Sequence, residues 1–276
     1  MAQLLGRPPS HVDEAPAIRM QGVNLRYNGA VALQDVSLSI QTGKLVAVVG
    51  PNGAGKSTLF KLIAGMEKPD KGVVRVFGHR PGGHVCIAYV PQRSQVDWTF
   101  PVTVTEVVMM GRIRKIGLFR WPSRQDWAFV HQALDKVGMT ELAERQIGEL
   151  SGGQQQRVFL AQALAQEAEI VLLDEPFSGL DLPSEQAIFV ILQELRQTDV
   201  AVLVATHDLS LATEHFDQVV LLNRRVIAFG DPKDVFQKPH LLEAYSGYVH
   251  ELSAEDGTVV LAEPCCGDEE EHHLHG

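Results

Sequence analysis

The run Gly50-Pro-Asn-Gly-Ala-Gly-Lys-Ser57 constrains the fold of this chain more than any other segment. It lies between Lys44–Val49, which predicts a short buried strand, and Thr58–Ala64, which predicts a helix. A glycine-rich turn between a strand and a helix directs backbone N–H groups and the positive helix end at one point. That point suits the phosphates of a nucleotide triphosphate. The predicted nucleotide-binding residues here are Gly50, Pro51, Asn52, Gly53, Ala54, Gly55, Lys56, Ser57 and Thr58.

Individual residues of this loop have separate predicted tasks. Lys56 brings a positive charge on a flexible stem, and Ser57 offers a hydroxyl to Mg²⁺. Gly50, Gly53 and Gly55 permit backbone angles and a close approach that a Cβ atom would obstruct. The alternative is an ordinary glycine turn, which the strand–loop–helix context disfavours.

Composition and charge exclude several classes of protein. The 276 residues contain no apolar run of about 18 residues, the N-terminus lacks the apolar core of a signal peptide, and three cysteines form no disulfide framework. We therefore expect a soluble protein in a reducing compartment that reaches a membrane only through a partner. The net charge is −10, and residues 250–276 carry eight acidic residues without Lys or Arg, so the remainder is nearly neutral. A nucleic-acid partner is not expected, because such binders have a basic excess.

Strand and helix patterns alternate along the chain and predict an α/β fold with a mostly parallel sheet. Ile18–Leu25 and Leu33–Ile40 predict strands around an Asn28-Gly29 turn, as in an N-terminal antiparallel β subdomain. A helical stretch at about 93–166 looks like an insertion into the sheet domain. The predicted parts are a flexible N-terminus (1–17), a folded domain (18–247) and an acidic tail containing His and Cys (248–276).

Further polar residues follow predicted strands, where ligands bind in parallel sheets. Asp174 ends the apolar run that begins at Ile170 and is expected to hold Mg²⁺, and Glu175 can polarise a water for attack on the γ-phosphate. His207 can sense the terminal phosphate, and Gln92 can touch the metal or the attacking water. Tyr27 can stack on an adenine ring. The alternatives are solvated acids at a strand end, a helix-capping histidine, a loop amide and a core tyrosine.

A second anion-binding device begins the predicted helix Gln154–Gln166. Ser151 can cap this helix, and Gly152 and Gly153 leave its N–H groups bare. Two phosphate devices about a hundred residues apart indicate either two sites in one chain or one site shared between two chains.

The motifs and their order along the chain resemble those of the ATP-binding subunit of an ATP-binding-cassette (ABC) transporter. The resemblance covers residues 18–245. The matches are Tyr27 (aromatic loop), Gly50–Thr58 (Walker A), Gln92 (Q-loop), Leu150–Gln154 (signature), Ile170–Glu175 (Walker B), Ser178–Asp181 (D-loop) and His207 (switch histidine). The resemblance implies a P-loop NTPase core with an inserted helical subdomain, and ATP and Mg²⁺ as cofactors. It also implies a head-to-tail dimer in which Ser151, Gly152, Gly153 and Gln154 of one chain complete the site of the other. Catalysis then falls to Glu175, His207 and Gln92, and Mg²⁺ binding to Ser57, Gln92 and Asp174.

The region from Pro91 to Ser123 is similar to the manganese branch of metal-cation importers, whose related branches carry zinc or iron. This implies membrane permease subunits as partners, an extracytoplasmic metal-binding protein as an indirect one, and a peripheral location on the cytoplasmic face of the membrane. The implied permease groove involves Trp98, Phe100, Met109, Met110 and Phe119, which alternatively fill the subdomain's own core.

The tail clusters metal-ligand types within a few residues: Cys265, Cys266, His272, His273 and His275. A weak site for the transported metal is one interpretation, and a solvated acidic tail that maintains solubility is the favoured alternative. Two other functions compete with transport. One is a soluble ABC-type ATPase in cofactor assembly or repair, and the other is a non-hydrolytic scaffold, against which Glu175 and His207 argue.

Overall fold

The computed structural model describes residues 14–82, 86–117 and 120–245. Its strands are β1 (Ile18–Tyr27), β2 (Ala30–Ile40), β3 (Leu45–Val49), β4 (Lys71–Val76), β5 (Ile87–Val90), β6 (Ile170–Asp174), β7 (Ala201–Thr206), β8 (Gln218–Asn223) and β9 (Arg225–Gly230). Its α-helices are α1 (Lys56–Ile63), α2 (Val104–Met110), α3 (Ile113–Ile116), α4 (Arg124–Lys136), α5 (Gly152–Ala165), α6 (Leu182–Arg196), α7 (Leu209–His215), α8 (Pro232–Val235) and α9 (Lys238–Ala244).

The larger sheet has the strand order β5-β6-β7-β3-β8-β9, with parallel pairing except between β8 and β9. Strands β3, β6 and β7 are buried along their whole length, because the sheet is covered on both faces. Alternate residues of β3 enter different cores: Leu45, Ala47 and Val49 face one, and Val46 and Val48 the other. The predicted α/β class with a mostly parallel sheet is confirmed.

The smaller sheet is antiparallel, in the order β2-β1-β4. Asn28 and Gly29 have φ angles of 49° and 86°, so both lie in the left-handed region that a tight hairpin turn between β1 and β2 requires. Ala17, which the sequence assigns to the flexible N-terminus, is fully buried, and its carbonyl accepts a hydrogen bond from the Phe77 N–H. The packed domain therefore begins before Ile18.

Helices α2 to α5 lie in sequence between β5 and β6, although those strands are neighbours in the sheet. A buried ion pair stabilises this helical region: Arg112 contacts Asp126 (3.1 Å) and Glu167 (2.7 Å), and its guanidinium lies 4.3 Å from the Phe129 ring centroid. Arg112 also donates to the Ala165 carbonyl, which ties the end of α5 to the same group.

Several helices begin earlier than the sequence pattern predicts. Helix α1 begins at Lys56, two residues before Thr58, and α5 begins at Gly152 instead of Gln154. Helix α6 begins at Leu182, three residues before the predicted Glu185, with a proline in its first turn. First-turn residues do not need apolar periodicity, because their N–H groups have no partner within the helix. The segments β9, α8 and α9 were not predicted.

Among the described residues, no helix combines the length and the apolar character that crossing a bilayer requires.

Candidate nucleotide-binding site

The glycine-rich loop joins β3 to α1, and two of its glycines are required for different reasons. A Cβ atom on Gly50 would lie 1.9 Å from the Leu222 carbonyl oxygen on β8. Gly50 is not among the residues with a positive φ, so it is required for space and not for a left-handed backbone. Gly55 has a φ of 98°, and its Cβ would lie 2.7 Å from the Ala32 carbonyl oxygen. Neighbouring backbone, rather than a ligand alone, therefore selects glycine at both positions.

The Lys56 side chain folds back over this loop. Its ammonium donates hydrogen bonds to the carbonyls of Gly50 (2.7 Å) and Pro51 (3.3 Å), and the residue is only 6 % exposed. These contacts hold the positive charge against the loop. A buried ammonium so close to the first turn of α1 adds to the positive helix end in favouring an anion.

A cavity of about 450 Å³ lies over the loop. It brings together the loop and three side chains that the sequence places far away, namely Gln92 after β5, Glu175 after β6 and His207 after β7. The lining residues are Ala32, Asn52, Gly53, Ala54, Gly55, Lys56, Ser57, Thr58, Gln92, Glu175 and His207.

Gln92 and Glu175 contact each other directly in this cavity. The Gln92 side-chain amide donates a 2.9 Å hydrogen bond to the Glu175 carboxylate. Glu175 has a φ of 50°, a conformation uncommon for a residue with a Cβ, and its N–H donates to the Ala205 carbonyl on β7. The sheet thus holds a strained residue whose carboxylate faces the cavity.

Asp174 precedes Glu175 at the end of β6 and is not among the residues that line the cavity. It is 2 % exposed, and the Tyr89 hydroxyl donates a 3.3 Å hydrogen bond to one of its carboxylate oxygens. Burial and the negative charge of Asp174 raise the pKa of Tyr89, so its hydroxyl keeps its proton and acts as a donor. Tyr89 was not predicted as a site residue from the sequence. The sequence signal for Tyr89 was a hydroxyl in an otherwise apolar strand. Only the strand order of the folded sheet brings this hydroxyl beside Asp174.

Tyr27 and His207 lie at different places around the site. Tyr27 ends β1 and is 40 % exposed; partial burial and the nearby negative charge of Glu67 raise the pKa of its hydroxyl, which lies beside Thr58 of α1. Tyr27 does not itself line the cavity but adjoins a residue that does. His207 lines the cavity and precedes Asp208, whose side chain caps α7.

Ser151 and the residues that follow it form the start of α5 and do not line this cavity. Ser151 accepts a hydrogen bond from the Gln154 N–H, and Gln154 accepts one from the Ser151 N–H, which completes a capping box. A Cβ on Gly153 would lie 2.3 Å from the Ser184 hydroxyl oxygen, so α5 and α6 pack closely here. None of the four residues Ser151, Gly152, Gly153 and Gln154 is among the described residues that line the cavity.

Arg93 links the segment after β5 to α5, and it was not predicted as a site residue from the sequence. It follows Gln92, and its Nε donates to the Gln155 side chain on α5 at 3.1 Å. Its guanidinium lies 5.8 Å from the Trp98 ring centroid, and the Trp98 ring meets Phe159 of α5 edge-on at 5.6 Å. Arg93 thus connects the segment after β5 to α5 through a hydrogen bond and a ring contact.

The donor set fits a nucleotide triphosphate with Mg²⁺. The cavity presents the Ser57 hydroxyl and the Gln92 amide, Asp174 lies buried beside Glu175, and oxygen donors suit this hard cation. No cluster of three or more His, Cys, Asp or Glu that could hold a metal ion occurs within 14–82, 86–117 and 120–245. The predicted tail ligands Cys265, Cys266, His272, His273 and His275 lie outside the described residues.

Comparison with known proteins agrees with this geometry. Residues 33–178 match the family model described as ABC transporter. The chain is 46 % identical over 243 residues to the chelated iron transport system membrane protein YfeB of Yersinia pestis (86 % of this chain, 82 % of that protein). It is also 46 % identical to the manganese transport system ATP-binding protein MntB of Bacillus subtilis (83 % and 92 %) and to the zinc transport system ATP-binding protein TroB of Treponema pallidum (85 % and 89 %).

A solved structure agrees as well. A transporter assigned to the metal-chelate ABC type, in an inward-facing conformation, superposes with a TM-score of 0.73 at 31 % identity, over 83 % of this chain and 88 % of that one. The chain belongs to the ABC transporter family, in which it is an ATP-binding subunit. It is an ATPase coupled to transport, and subunits of this class dimerise and work with membrane permeases.

Proposed function

We propose that this protein hydrolyses ATP to energise the import of a divalent metal cation across a membrane, with manganese as the first candidate. The observation that carries the hydrolytic part is the convergence of Lys56, Gln92, Glu175 and His207 on one cavity. Relatives of 44–46 % identity support a metal substrate, and manganese is the metal named most often among them. Zinc and iron are the alternatives, since relatives of similar identity are named for them.

Each residue has a distinct task in the proposed reaction. The backbone amides from Gly50 to Thr58 and the Lys56 ammonium hold the phosphates of ATP. Ser57, Gln92 and Asp174 hold Mg²⁺, which when bound neutralises charge on the phosphate oxygens. Glu175 accepts a proton from the attacking water, His207 contacts the terminal phosphate, and Tyr27 stacks on the adenine.

A second copy of the chain completes the site. The start of α5 does not line the cavity of its own chain, yet it presents the N–H groups of a helix N-terminus, of which that of Gln154 is capped by Ser151. In a head-to-tail dimer Ser151, Gly152, Gly153 and Gln154 approach the ATP held by the other chain. ATP then joins the two copies, and its hydrolysis releases them.

The permease binds at the helical region in this proposal. Phe100 (59 %), Met110 and Ile113 are exposed, as are Trp121 (94 %) and Trp127, and together they offer apolar surface to a membrane subunit at the cytoplasmic face. Trp98 and Met109 instead pack partly against the core, which matches the core alternative for those two residues. Phe119 lies outside the described residues.

Transport by the reconstituted complex tests the proposal. The protein would be assembled with its permease in proteoliposomes, and ATP-dependent uptake of radioactive Mn²⁺ would be measured against competing Zn²⁺ and Fe²⁺. We expect uptake that is lost in Lys56→Ala and retained in Lys68→Ala, an exposed lysine beyond α1. ATP hydrolysis without uptake of any of these metals would contradict the transport role and favour a soluble ATPase.

A further inference from the structure

Tyr89 and Asp174 occupy neighbouring strands on the same face of the sheet. Tyr89 of β5 pairs in register with Leu172 of β6, and Asp174 is two residues beyond Leu172. Side chains two residues apart on a strand point to the same face, so the tyrosine and the carboxylate face the same layer. The 3.3 Å hydrogen bond between them follows from this register and from the reach of the tyrosine ring.

The contact matters because Asp174 is almost wholly buried. A buried carboxylate requires hydrogen-bond donors, and Tyr89 provides the one recorded for this side chain within the described part of the chain. Tyr89 donates to Oδ2, and the carboxylate has further lone pairs that can accept a cation. Gln92 follows β5 in the chain. Strand β5 and the segment after it therefore supply two donors, Tyr89 to Asp174 and Gln92 to Glu175.

We propose that Tyr89 is a positioning residue for Mg²⁺: its hydroxyl orients the Asp174 carboxylate and thereby sets the affinity of the site for the cation. This inference rests on the proposed Mg²⁺-dependent ATP site. Residues that hydrogen-bond to a metal ligand typically change metal affinity by about tenfold or more when they are replaced. The contacts to the adenine and to the phosphate loop do not depend on the hydrogen bond between Tyr89 and Asp174. The affinity for the nucleotide without metal is therefore expected to remain unchanged.

Tyr89→Phe tests the inference because it removes only the hydroxyl. Purified full-length protein would be titrated with Mg²⁺ at a fixed concentration of a fluorescent ATP analogue. Binding of the analogue would also be measured in EDTA. We expect the half-saturating Mg²⁺ concentration to rise about tenfold, with unchanged affinity in EDTA and a slightly lower melting temperature, because the buried Asp174 carboxylate loses a hydrogen-bond donor. Tyr245→Phe, at the end of α9, is the matched control and should behave as the wild type.

A double-mutant cycle with Asp174→Asn separates positioning from a general structural effect. Once the carboxylate is absent, adding Tyr89→Phe should not weaken Mg²⁺ binding further. An unchanged or lower half-saturating Mg²⁺ concentration in Tyr89→Phe, or additive effects in the cycle, would overturn the inference. Absence of any Mg²⁺-dependent nucleotide binding in the wild type would instead refute the proposed site itself.

Discussion

Gln92 donates a 2.9 Å hydrogen bond from its side-chain amide to the Glu175 carboxylate, across the gap between the ends of β5 and β6. The proposed general base therefore accepts a hydrogen bond from a neutral donor of its own chain. A glutamine at position 175 can accept the same hydrogen bond through its amide oxygen. Replacing this carboxylate should therefore remove the base and leave the local geometry in place.

Glu175→Gln is expected to lower ATP hydrolysis by at least about 100-fold, because general-base catalysis contributes that much or more. ATP binding should persist, so the variant should accumulate as an ATP-bound dimer. Phosphate release and light scattering in saturating ATP measure the two effects. Glu194→Gln, an exposed glutamate on α6, is the control and should hydrolyse ATP normally. A monomeric Glu175→Gln in saturating ATP would contradict the ATP-driven dimer.

Mixing two inactive variants should restore activity if the site is shared between chains. Lys56→Ala damages the phosphate loop, and Ser151→Phe blocks the start of α5. A mixed dimer has one doubly damaged site and one intact site, so random pairing should return about a quarter of the wild-type sites. ATPase activity of the mixture against each variant alone is the measurement. If the mixture stays as inactive as its components, each chain does not complete the site of the other.

Gly50→Ala and Gly53→Ala should differ strongly although both lie in one loop. The added methyl at position 50 would collide with the Leu222 carbonyl, and the loop would have to move and lose its grip on phosphates. At position 53 nothing lies within 4 Å of the added atom, and only the φ of 75° opposes it, at a cost of about 1–2 kcal/mol. Calorimetric ATP binding and thermal unfolding compare the two. Equal losses of ATP affinity would show that the contact with β8 does not shape the loop.

Asp126 should make the helical region sensitive to acid. Hydrogen bonds from Ser123, together with the Arg112 guanidinium, lower the pKa of the Asp126 carboxyl in the folded protein. The stability it contributes is therefore complete above the unfolded-state pKa of about 3.9 and is lost as the pH falls below that value toward the lowered pKa.

Asp126→Asn should lower the free energy of unfolding at neutral pH by about 2 kcal/mol, because the buried Arg112 loses one of its two carboxylate partners and keeps only Glu167. Between neutral and acidic pH, the free energy of unfolding of the variant should also fall less than that of the wild type. Urea unfolding at neutral and acidic pH measures both effects, with Asp135→Asn on the exposed side of α4 as the control. If the stability of wild type and Asp126→Asn fell equally in acid, carboxylates other than Asp126 would be responsible for the acid sensitivity.

Much of the fold could be predicted because its signals are local. The hairpin at Asn28 and Gly29 follows from two residues that tolerate positive φ, and the buried strands follow from short apolar runs. The segments β9, α8 and α9 were missed because they are short and only partly buried, so no clear periodicity marks them. Helix starts were misplaced for a similar reason, since the first turn carries capping residues instead of a regular apolar pattern.

The sequence by itself determined the class of chemistry, because the phosphate loop, the paired acids at positions 174 and 175, and the α5 start each have a recognisable local pattern. Only the tertiary structure decided which side chains meet: Gln92 with Glu175, Tyr89 with Asp174, and Arg93 with Gln155. These pairs are 83, 85 and 62 residues apart in the chain. Their contacts depend on strand order and register, which are properties of the packed sheet and not of any single segment.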